Sequence, residues 1–379
     1  MNDAGRVCIQ ALALCQATPG AAPVTGRYGP EPLPLFLVGD ADLTPLPGHL
    51  KRYDCRSNRL LLTLLKRLEA WRRGVDPARI GVVMGTSSSG IAAGEEALSH
   101  YHRLGRMPER YHHKQQELGG MAEFAARWLG AEGPAYVISS SCASSAQALA
   151  SARRLLRMDL CDRVFVGGVE VLSATTVQGF DSLGALSRTC CNPFSRNRDG
   201  TVLGEGGALL VLSREPGTVA LLGVGMSSDA YHLSAPDPSG EGAALAMTGA
   251  LDDAGLAPDQ IGYLNLHGTG TLQNDAMEAL AVVAVFGDRG PPCSSTKPLT
   301  GHCLGAGGAL EAALCVQALL EPEKPLPPHR WDGCRDRDLP RLQFTGGRER
   351  IDPARPFCMS NTYAFGGANV SVILGRIES

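Results

Sequence analysis

The sequence has little of what marks a membrane protein or a nucleic-acid-binding protein. Nowhere in its 379 residues does an apolar run approach the roughly 18 residues that a membrane-spanning helix requires. The net charge of -3 provides no general basic excess for a phosphate backbone. Because hydrophobic residues make up 44% and charged residues 19%, we predict a globular protein that binds neither membrane nor nucleic acid.

The cysteines lack the spacing of a metal site. Twelve are scattered along the chain, and no C-x-x-C pair occurs among them. We therefore predict no metal centre, and we expect reduced thiols in a cytoplasmic protein. Residues 1–23 contain a short apolar run before small residues, as a secretory signal does. Asp3 and the shortness of that run favour a first β-strand over 6–15.

Short apolar runs alternate with helix-forming segments, which is typical of an α/β fold whose strands are covered on both faces. The predicted strands are 79–86, 135–142, 163–172, 207–214, 219–228, 261–268, 356–365 and 369–375. The predicted helices are 58–73, 90–103, 119–129, 143–157, 241–254, 274–285 and 306–320. A strand, a reactive residue and a helix follow one another around both Cys142 and His302, so we infer an internal duplication. The predicted halves are residues 1–215 and 216–379.

Cys142 lies where a strand gives way to a helix, in "SSSCASSAQALASARRLL". A buried cysteine often serves as a small apolar residue, and this interpretation stays open. A helix N-terminus also carries partial positive charge and unpaired N–H groups, which lower the pKa of a cysteine. The stretch alone does not decide between the two interpretations, because a nucleophile needs partners and these have to be found elsewhere in the chain.

Two histidines stand in glycine-rich surroundings that let a ligand approach the backbone. His267 lies in "NLHGTGTLQND" at the end of a predicted strand, and His302 lies in "STKPLTGHCLGAGG" before a helix of small residues. Lys297, five residues before His302, favours a neutral imidazole by charge repulsion. Either histidine alone is as readily a hydrogen-bonded core residue, but together with Cys142 the two indicate a catalytic centre.

A third motif, "NTYAFGGANV", places Phe365 before Gly366 and Gly367. Such a loop can move and can direct backbone N–H groups at a substrate carbonyl, as an oxyanion hole does. An ordinary turn between two strands is the alternative, and for this motif alone it is the simpler one.

Together these stretches resemble the β-ketoacyl-[acyl-carrier-protein] synthases (KAS I/II type) of the thiolase-like condensing-enzyme superfamily. The resemblance runs from about residue 80 to the end of the chain. It is carried by "SSSCASS", "GGVEVLSATTVQGFDSLGALS", "PFSRNRDGTVLGEGGALLVLS", "GVGMSSDAYHLSAPDPSGEG", "HGTGT", "STKPLTGH" and "NTYAFGGAN".

The resemblance implies a thiolase-like fold, a duplicated α-β-α-β-α sandwich of five layers with two mixed five-stranded sheets. It implies that Cys142, His267 and His302 form a Cys-His-His active centre. It assigns further roles to Lys297 as the active-site lysine, Glu311 as its buried partner, Thr269 and Thr271 as ligands of the phosphopantetheine arm, and Phe365, Gly366 and Gly367 as gate and oxyanion hole together with Cys142.

The implied reaction is a decarboxylative Claisen condensation of malonyl-acyl carrier protein with an acyl group held on Cys142. No step of this reaction requires a metal or a redox cofactor. Acyl carrier protein presents both substrates as thioesters of its phosphopantetheine arm. The implied second partner is another copy of the chain, a paralogous synthase or a chain-length factor. Alternatively the chain is itself a non-elongating, chain-length-factor-like subunit, although such subunits usually lack the cysteine. A thiolase that uses Cys358 is disfavoured by "HGTGT" and "TGH".

Several positions depart from the commoner family pattern. "SCASS" replaces "ACTSG", "TLQND" follows the first histidine motif, and Tyr363 and Ala368 stand where phenylalanine and threonine are frequent. The form is similar to synthases of specialised pathways, such as aryl-polyene systems.

Two surfaces are also predicted. The strand 163–172 is expected to pair with a second subunit at the edge of a sheet. A basic rim is expected to attract the acidic carrier protein. Its residues are Lys66, Arg67, Arg72, Arg73, Arg196 and Arg198.

Overall fold

A computed structural model describes residues 5–17, 23–24, 28 and 32–377. Residues 1–4, at the start of the predicted first half, and residues 378–379, at the end of the predicted second half, lie outside the described residues. Within the described residues the strands comprise every predicted apolar run, with 135–142 ending early at Ile138, and three two-residue strands that were not predicted. They are β1 (Cys8–Gln16), β2 (Pro23–Val24), β3 (Leu33–Pro34), β4 (Ile80–Gly85), β5 (Ala135–Ile138), β6 (Arg163–Glu170), β7 (Gly206–Ser213), β8 (Val219–Ser228), β9 (Ile261–Asn265), β10 (Cys293–Ser294), β11 (Phe357–Tyr363) and β12 (Ala368–Arg376).

The helices between these strands also confirm the predicted ones within a few residues. They are α1 (Arg56–Leu68), α2 (Ile91–Leu104), α3 (Gly120–Leu129), α4 (Ser144–Arg157), α5 (Ala174–Ser182), α6 (Glu241–Ala254), α7 (Leu272–Phe286), α8 (Lys297–Thr300) and α9 (Gly307–Leu320). Of these, α5 and the single turn α8 were not expected.

Helix α5 was not predicted because its sequence lacks the row of apolar residues that identifies an amphipathic helix. Only Val177 of its nine residues is buried. Polar groups define its start instead. The Ser173 hydroxyl accepts the N–H of Thr176 at 3.1 Å, and the carboxylate of Glu95 accepts the first two helical N–H groups at 2.9 and 2.8 Å. These contacts satisfy the donors that every helix start leaves without an intrahelical partner.

Ten strands form one continuous order, β10-β9-β11-β12-β8-β1-β7-β6-β4-β5. The link between β8 and β1 consists of two residue pairs, Cys8 with Ala220 and Ile9 with Val219. On each side of this link lies a five-stranded sheet that mixes parallel and antiparallel pairs. The two mixed sheets expected from the sequence are therefore present, but they are joined along one edge.

The sheets and helices stack in five layers. Helices α4 and α9 lie between the two sheets and share one apolar core with both. Helices α1 and α3 cover the outer face of the first sheet, and α6 and α7 cover the outer face of the second. This is the α-β-α-β-α sandwich that the resemblance implies. The division at 215 and 216 stays a prediction.

The placement of strand 163–172 at a subunit interface is wrong. Strand β6 pairs with β4 on one side and β7 on the other, and all eight of its residues are buried. An apolar run shows that a strand is covered on both faces, but it does not show which strands lie beside it. The edge of the first sheet is β5, whose four residues are partly exposed.

The close packing of β6 generates a stability prediction. A Cβ at Gly168 would lie 2.4 Å from the carbonyl oxygen of Gly85 and 2.9 Å from the Cβ of Ser145 on α4. Because backbone has to move, Gly168→Ala should lower the free energy of unfolding by about 1–3 kcal/mol in urea titrations. The control is Gly179→Ala on α5, where no atom lies within 4 Å of the added carbon. Equal unfolding midpoints for both variants would contradict this packing.

Candidate active site

A tight turn carries Cys142 from β5 to α4. Ser141, the residue before it, has a φ of +46°, a left-handed conformation that residues other than glycine adopt uncommonly. The Ser144 hydroxyl braces the turn, because it accepts the N–H of Ser140 at 2.9 Å and donates to the Ser141 carbonyl at 2.6 Å. The sulfur of Cys142 is thereby held just ahead of the central helix.

The structure brings the predicted cysteine and the two predicted histidines together. Sγ of Cys142 lies 3.2 Å from Nε2 of His302. The ring of His302 meets the ring of His267 edge to face, with centroids 5.3 Å apart. All three side chains are buried. Residues distant in sequence thus form a compact group of one sulfur and two imidazoles.

Lys297 and Glu311 lie beside this group as a buried ion pair. Nζ of Lys297 is 2.6 Å from Oε1 of Glu311 and 3.3 Å from Nδ1 of His267, and it also donates to the His267 carbonyl. Both charged side chains are at most 3% exposed. A buried charge is tolerated when it is paired and hydrogen-bonded, and both conditions are met for Lys297.

Both imidazoles are neutral in this environment. Burial lowers the pKa of His267 and of His302 well below the usual value, and the charge of Lys297 lowers both further. Because the Lys297 ammonium can only donate, Nδ1 of His267 acts as the acceptor in their contact. The ring proton of His267 is therefore assigned to Nε2, where it can be donated to a ligand.

The lowered pKa that a helix start can give a cysteine is not found at Cys142. Burial raises the pKa of Cys142 to about 12, although Lys297 opposes the shift. Helix α4 begins only at Ser144, so the sulfur lies outside the first turn. The resting group is therefore a thiol, and Nε2 of His302 is the base within hydrogen-bond reach of its proton.

Helix α7 holds the start of the loop that follows β9 through hydrogen bonds to Glu278. The carboxylate of Glu278 accepts the N–H groups of His267 and Gly268, each at 2.7 Å. The hydroxyls of Thr269 and Thr271, predicted to bind the phosphopantetheine arm, lie 2.9 Å apart. Both threonines line the same cavity as the two histidines. The loop therefore presents two hydroxyls and an imidazole to one space.

The glycine-rich loop lies across the site. The ring of Phe365 stacks on Phe180, with centroids 5.3 Å apart, and Phe180 approaches His302 edge to face at 6.5 Å. Gly366 and Gly367 have φ values of +87° and +78°, so glycine suits both positions. Their N–H groups already donate to main-chain carbonyls. In this conformation the expected oxyanion donors therefore reduce to the N–H groups of Cys142 and Phe365.

A cavity of about 320 Å³ leads to the sulfur. Sequence reasoning missed part of its wall. Phe180 lies in a stretch quoted for the family resemblance, but neither its spacing nor its neighbours single it out. Among the lining residues are Cys142, Phe180, Asp229, His267, Thr269, Thr271, Leu272, His302, Tyr363 and Phe365.

The basic rim is only partly present. Arg198 is buried and its guanidinium lies 2.6 Å from the carboxylate of Asp336, so its assignment to a docking surface is wrong. Arg67 and Arg72 donate to main-chain carbonyls while remaining exposed. For the other three, which are exposed, docking stays a prediction. They are Lys66, Arg73 and Arg196.

Comparison with known proteins places the chain in a family. Residues 57–217 match the model of the β-ketoacyl synthase N-terminal domain, and residues 219–329 match that of its C-terminal domain. The chain belongs to the β-ketoacyl synthase family. It is 35% identical over 263 residues to 3-oxoacyl-[acyl-carrier-protein] synthase 2 of Coxiella burnetii. That match covers 65% of this chain and 63% of the length of the relative.

Two solved structures of β-ketoacyl synthases are similar over nearly the whole chain. One is a ketosynthase in complex with its chain length factor from Xenorhabdus doucetiae, with a TM-score of 0.93, 41% identity and coverage of 98% of both chains. The other is a β-ketoacyl synthase from Burkholderia phymatum STM815, with a TM-score of 0.85, 27% identity and coverage of 99% of this chain and 100% of that chain. The predicted family and thiolase-like fold are confirmed.

Two features are absent from the described part of the chain. No helix there is long and apolar enough to cross a membrane. In the same residues, no group of three or more His, Cys, Asp or Glu side chains is arranged to hold a metal ion. The expectation that the chain works without a metal stays a prediction.

The charge of Lys297 generates a prediction on titration. Lys297→Met removes the positive charge beside the imidazoles, so the pKa of His267 and His302 should rise, while burial keeps both below the usual value. Histidine-selective NMR titration should show protonation beginning at higher pH in the variant.

His329 is the internal control for this titration. Burial lowers the pKa of His329 to about 4, and Lys297 is not among the causes of that shift. Its signal should titrate at the same pH in both proteins. If His267 and His302 also titrate unchanged in the variant, Lys297 does not control their protonation.

Proposed function

We propose that this chain is a β-ketoacyl-[acyl-carrier-protein] synthase. The reaction is the decarboxylative Claisen condensation of malonyl-acyl carrier protein with an acyl thioester on the enzyme, in fatty-acid, polyketide or aryl-polyene-type elongation. The observation that carries this proposal is the buried group of Cys142, His302 and His267 at the end of a cavity, with a thiol and two neutral imidazoles.

The first half-reaction is acyl transfer to Cys142. As Sγ attacks the thioester carbonyl, its proton passes to Nε2 of His302, 3.2 Å away. The carbon–sulfur bond to the carrier then breaks, and the proton goes to the departing pantetheine sulfur. The N–H groups of Cys142 and Phe365 stabilise the transient oxyanion, a type of contact whose loss costs about 3–4 kcal/mol of barrier.

The second half-reaction needs hydrogen-bond donors rather than a base. When the malonyl group loses CO2, the bonding electron pair moves onto the thioester as an enolate. Neutral His267, oriented by Lys297, donates its Nε2–H to that oxygen. His302 is the second donor in the tautomer that carries the ring proton on Nε2, which it can adopt once the sulfur of Cys142 holds an acyl group instead of a proton. The enolate carbon then attacks the acyl carbonyl on Cys142, and the bond between that carbonyl and the cysteine sulfur breaks. The sulfur leaves as a thiolate and returns to the thiol by taking up one proton from water. None of these steps calls for a metal or a redox cofactor.

The alternative is a chain-length-factor-like subunit that shapes a site without elongating. The similar structure from Xenorhabdus doucetiae contains a ketosynthase together with such a factor. A subunit without catalysis has no need to hold Cys142, both histidines and the Lys297–Glu311 pair in contact. Their joint presence therefore supports the synthase.

We propose acyl carrier protein and a second thiolase-fold subunit, a copy or a paralogue, as partners. The similar ketosynthase in complex with its chain length factor supports the pairing. So does the edge strand β5, because an unpaired strand edge is a template for another chain. Helix α2 buries only Gly94 and Ala97, and its Leu98, Tyr101 and Leu104 are 48–60% exposed. A row of exposed apolar residues of this kind is typical of an interaction surface.

Thr269 and Thr271 are proposed to hold the phosphopantetheine arm, since their hydroxyls line the approach to Cys142. A cytoplasmic location is also proposed. It is supported by the twelve cysteines, all of which lie in the described residues and are free thiols.

Acyl transfer gives the first test. Incubation with a small acyl thioester should add one acyl group at Cys142, because only this sulfur has the imidazole partner in the cavity. Intact mass and peptide mapping measure the adduct, with Cys142→Ala as control. Cys190 and Cys334 are the exposed thiols. An acyl group found mainly on either of them, or retained by Cys142→Ala, would contradict the assignment.

Malonyl decarboxylation gives the second test. His267→Ala and His302→Ala should each slow CO2 release from a malonyl thioester by about 10²–10³-fold, the usual cost of losing an oxyanion donor. His267→Ala should still accept an acyl group, since the contact with Sγ belongs to His302. His102→Ala, at an exposed position on α2, is the matched control. Wild-type decarboxylation in either active-site variant would show that the enolate site is misassigned.

A further inference from the structure

We propose that His329 is a positioning residue for the loop that carries His267, a role that rests on the proposed function. His329 is buried and, among the described residues, is not part of the cavity wall. It lies in "PLPPHRWDG", which carries none of the family motifs recognised in the sequence. His329 nevertheless contacts Ser295, which is hydrogen-bonded to Gly268 and Lys297, the two residues beside the His267 imidazole.

The two ring nitrogens of His329 join two separate segments. Nδ1 accepts the N–H of Ser295 at 3.2 Å, and Nε2 lies 3.1 Å from the carbonyl oxygen of Pro193. Because a carbonyl only accepts, the ring proton is on Nε2, and Nδ1 is free for Ser295. The ring itself stacks on Phe344 with centroids 4.0 Å apart. His329 is thus held in one tautomer and one orientation.

Ser295 transmits this constraint to the catalytic loop. Its hydroxyl donates to the Gly268 carbonyl at 2.7 Å and accepts the N–H of Lys297 at 3.3 Å. With the Glu278 and Lys297 contacts, all four backbone polar groups of His267 and Gly268 are hydrogen-bonded. Ser295 is therefore one of three side chains, with Glu278 and Lys297, that fix the backbone from which the His267 imidazole projects.

The segment that contains Pro193 and Phe194 also packs against Gly268. Gly268 has a φ of +36°, and a Cβ there would lie 2.6 Å from the Cβ of Ser295 and 3.0 Å from the ring of Phe194. Phe194 has a φ of +59°, an uncommon conformation that requires support from its surroundings. The bond from His329 to the preceding carbonyl, that of Pro193, supplies part of that support. Gly268 is thus held between two segments that His329 ties together.

His329 is connected through Ser295 to the backbone beside His267, and within the described residues it has no such connection to the sulfur of Cys142. Its loss should therefore separate the two half-reactions. Malonyl decarboxylation, which needs the His267 N–H, should fall. Acylation of Cys142, which uses the contact with His302, should persist. A general loss of structure would lower both together.

The test compares three variants of the full chain. His329→Leu fills the space but leaves the Ser295 N–H and the Pro193 carbonyl unpaired. His329→Asn offers an acceptor near the place of Nδ1. Phe344→Leu is the matched control, since it removes the stacking partner and leaves both hydrogen bonds. The probes are a malonyl thioester, a small acyl thioester and hydrogen–deuterium exchange of the peptide that contains residues 266–271.

We expect His329→Leu to lower kcat for decarboxylation by about 100-fold, the typical effect of misplacing a reacting group by about 1 Å. Its acylation rate should match that of the wild type, and exchange in 266–271 should accelerate. His329→Asn should recover part of the loss, and Phe344→Leu should decarboxylate like the wild type. If His329→Leu does not fold, His329→Asn is expected to lose decarboxylation selectively.

Three results would overturn the proposal. They are wild-type decarboxylation in both His329 variants, an equal loss in Phe344→Leu, and equal losses of acylation and decarboxylation. A wild type that neither accepts acyl groups nor releases CO2 would instead refute the proposed function. In that case the exchange data decide: faster exchange of 266–271 in the His329 variants alone supports the positioning role, and unchanged exchange overturns it.

Discussion

At the crossing of α4 and α9, a Cβ at Gly308 would lie 2.8 Å from the Cβ of Ala146 and 2.9 Å from its nitrogen. The two central helices therefore approach at backbone distance, and the Ser145 hydroxyl accepts the N–H of Ala309 across the contact. Cys142 precedes one helix and His302 precedes the other. Their 3.2 Å separation depends on this crossing, because a larger residue would push the helix starts apart.

Beside that contact the reacting groups are neutral and lie next to a buried ion pair. Lys297 is matched by Glu311, and the imidazoles and the thiol are kept uncharged by burial. Donors that are fixed before the reaction and shielded from water stabilise developing negative charge more strongly than solvent does. The arrangement suits chemistry in which negative charge develops on the substrate, as in an enolate or a tetrahedral oxyanion.

The sequence singled out Cys142, His267, His302 and Lys297 by their motifs, and the family resemblance added Glu311; their catalytic roles stay predictions. Cys142, His267, His302, Lys297 and Glu311 all lie together as expected. Properties that depend on distant neighbours were not accessible. The raised pKa of the thiol comes from burial by the whole fold, and the central place of β6 comes from strand order. Helix α5 is defined by Glu95, almost eighty residues earlier.

The most direct test of this account is the fate of the carriers when the purified chain receives acyl- and malonyl-acyl carrier protein together. Intact mass spectrometry follows both carriers and the enzyme. The account predicts transient acylation of Cys142, release of one CO2 per condensation and a carrier-bound product extended by one ketide unit. An enzyme that carries the acyl group while malonyl carrier remains unchanged would contradict the central claim and favour a non-elongating subunit.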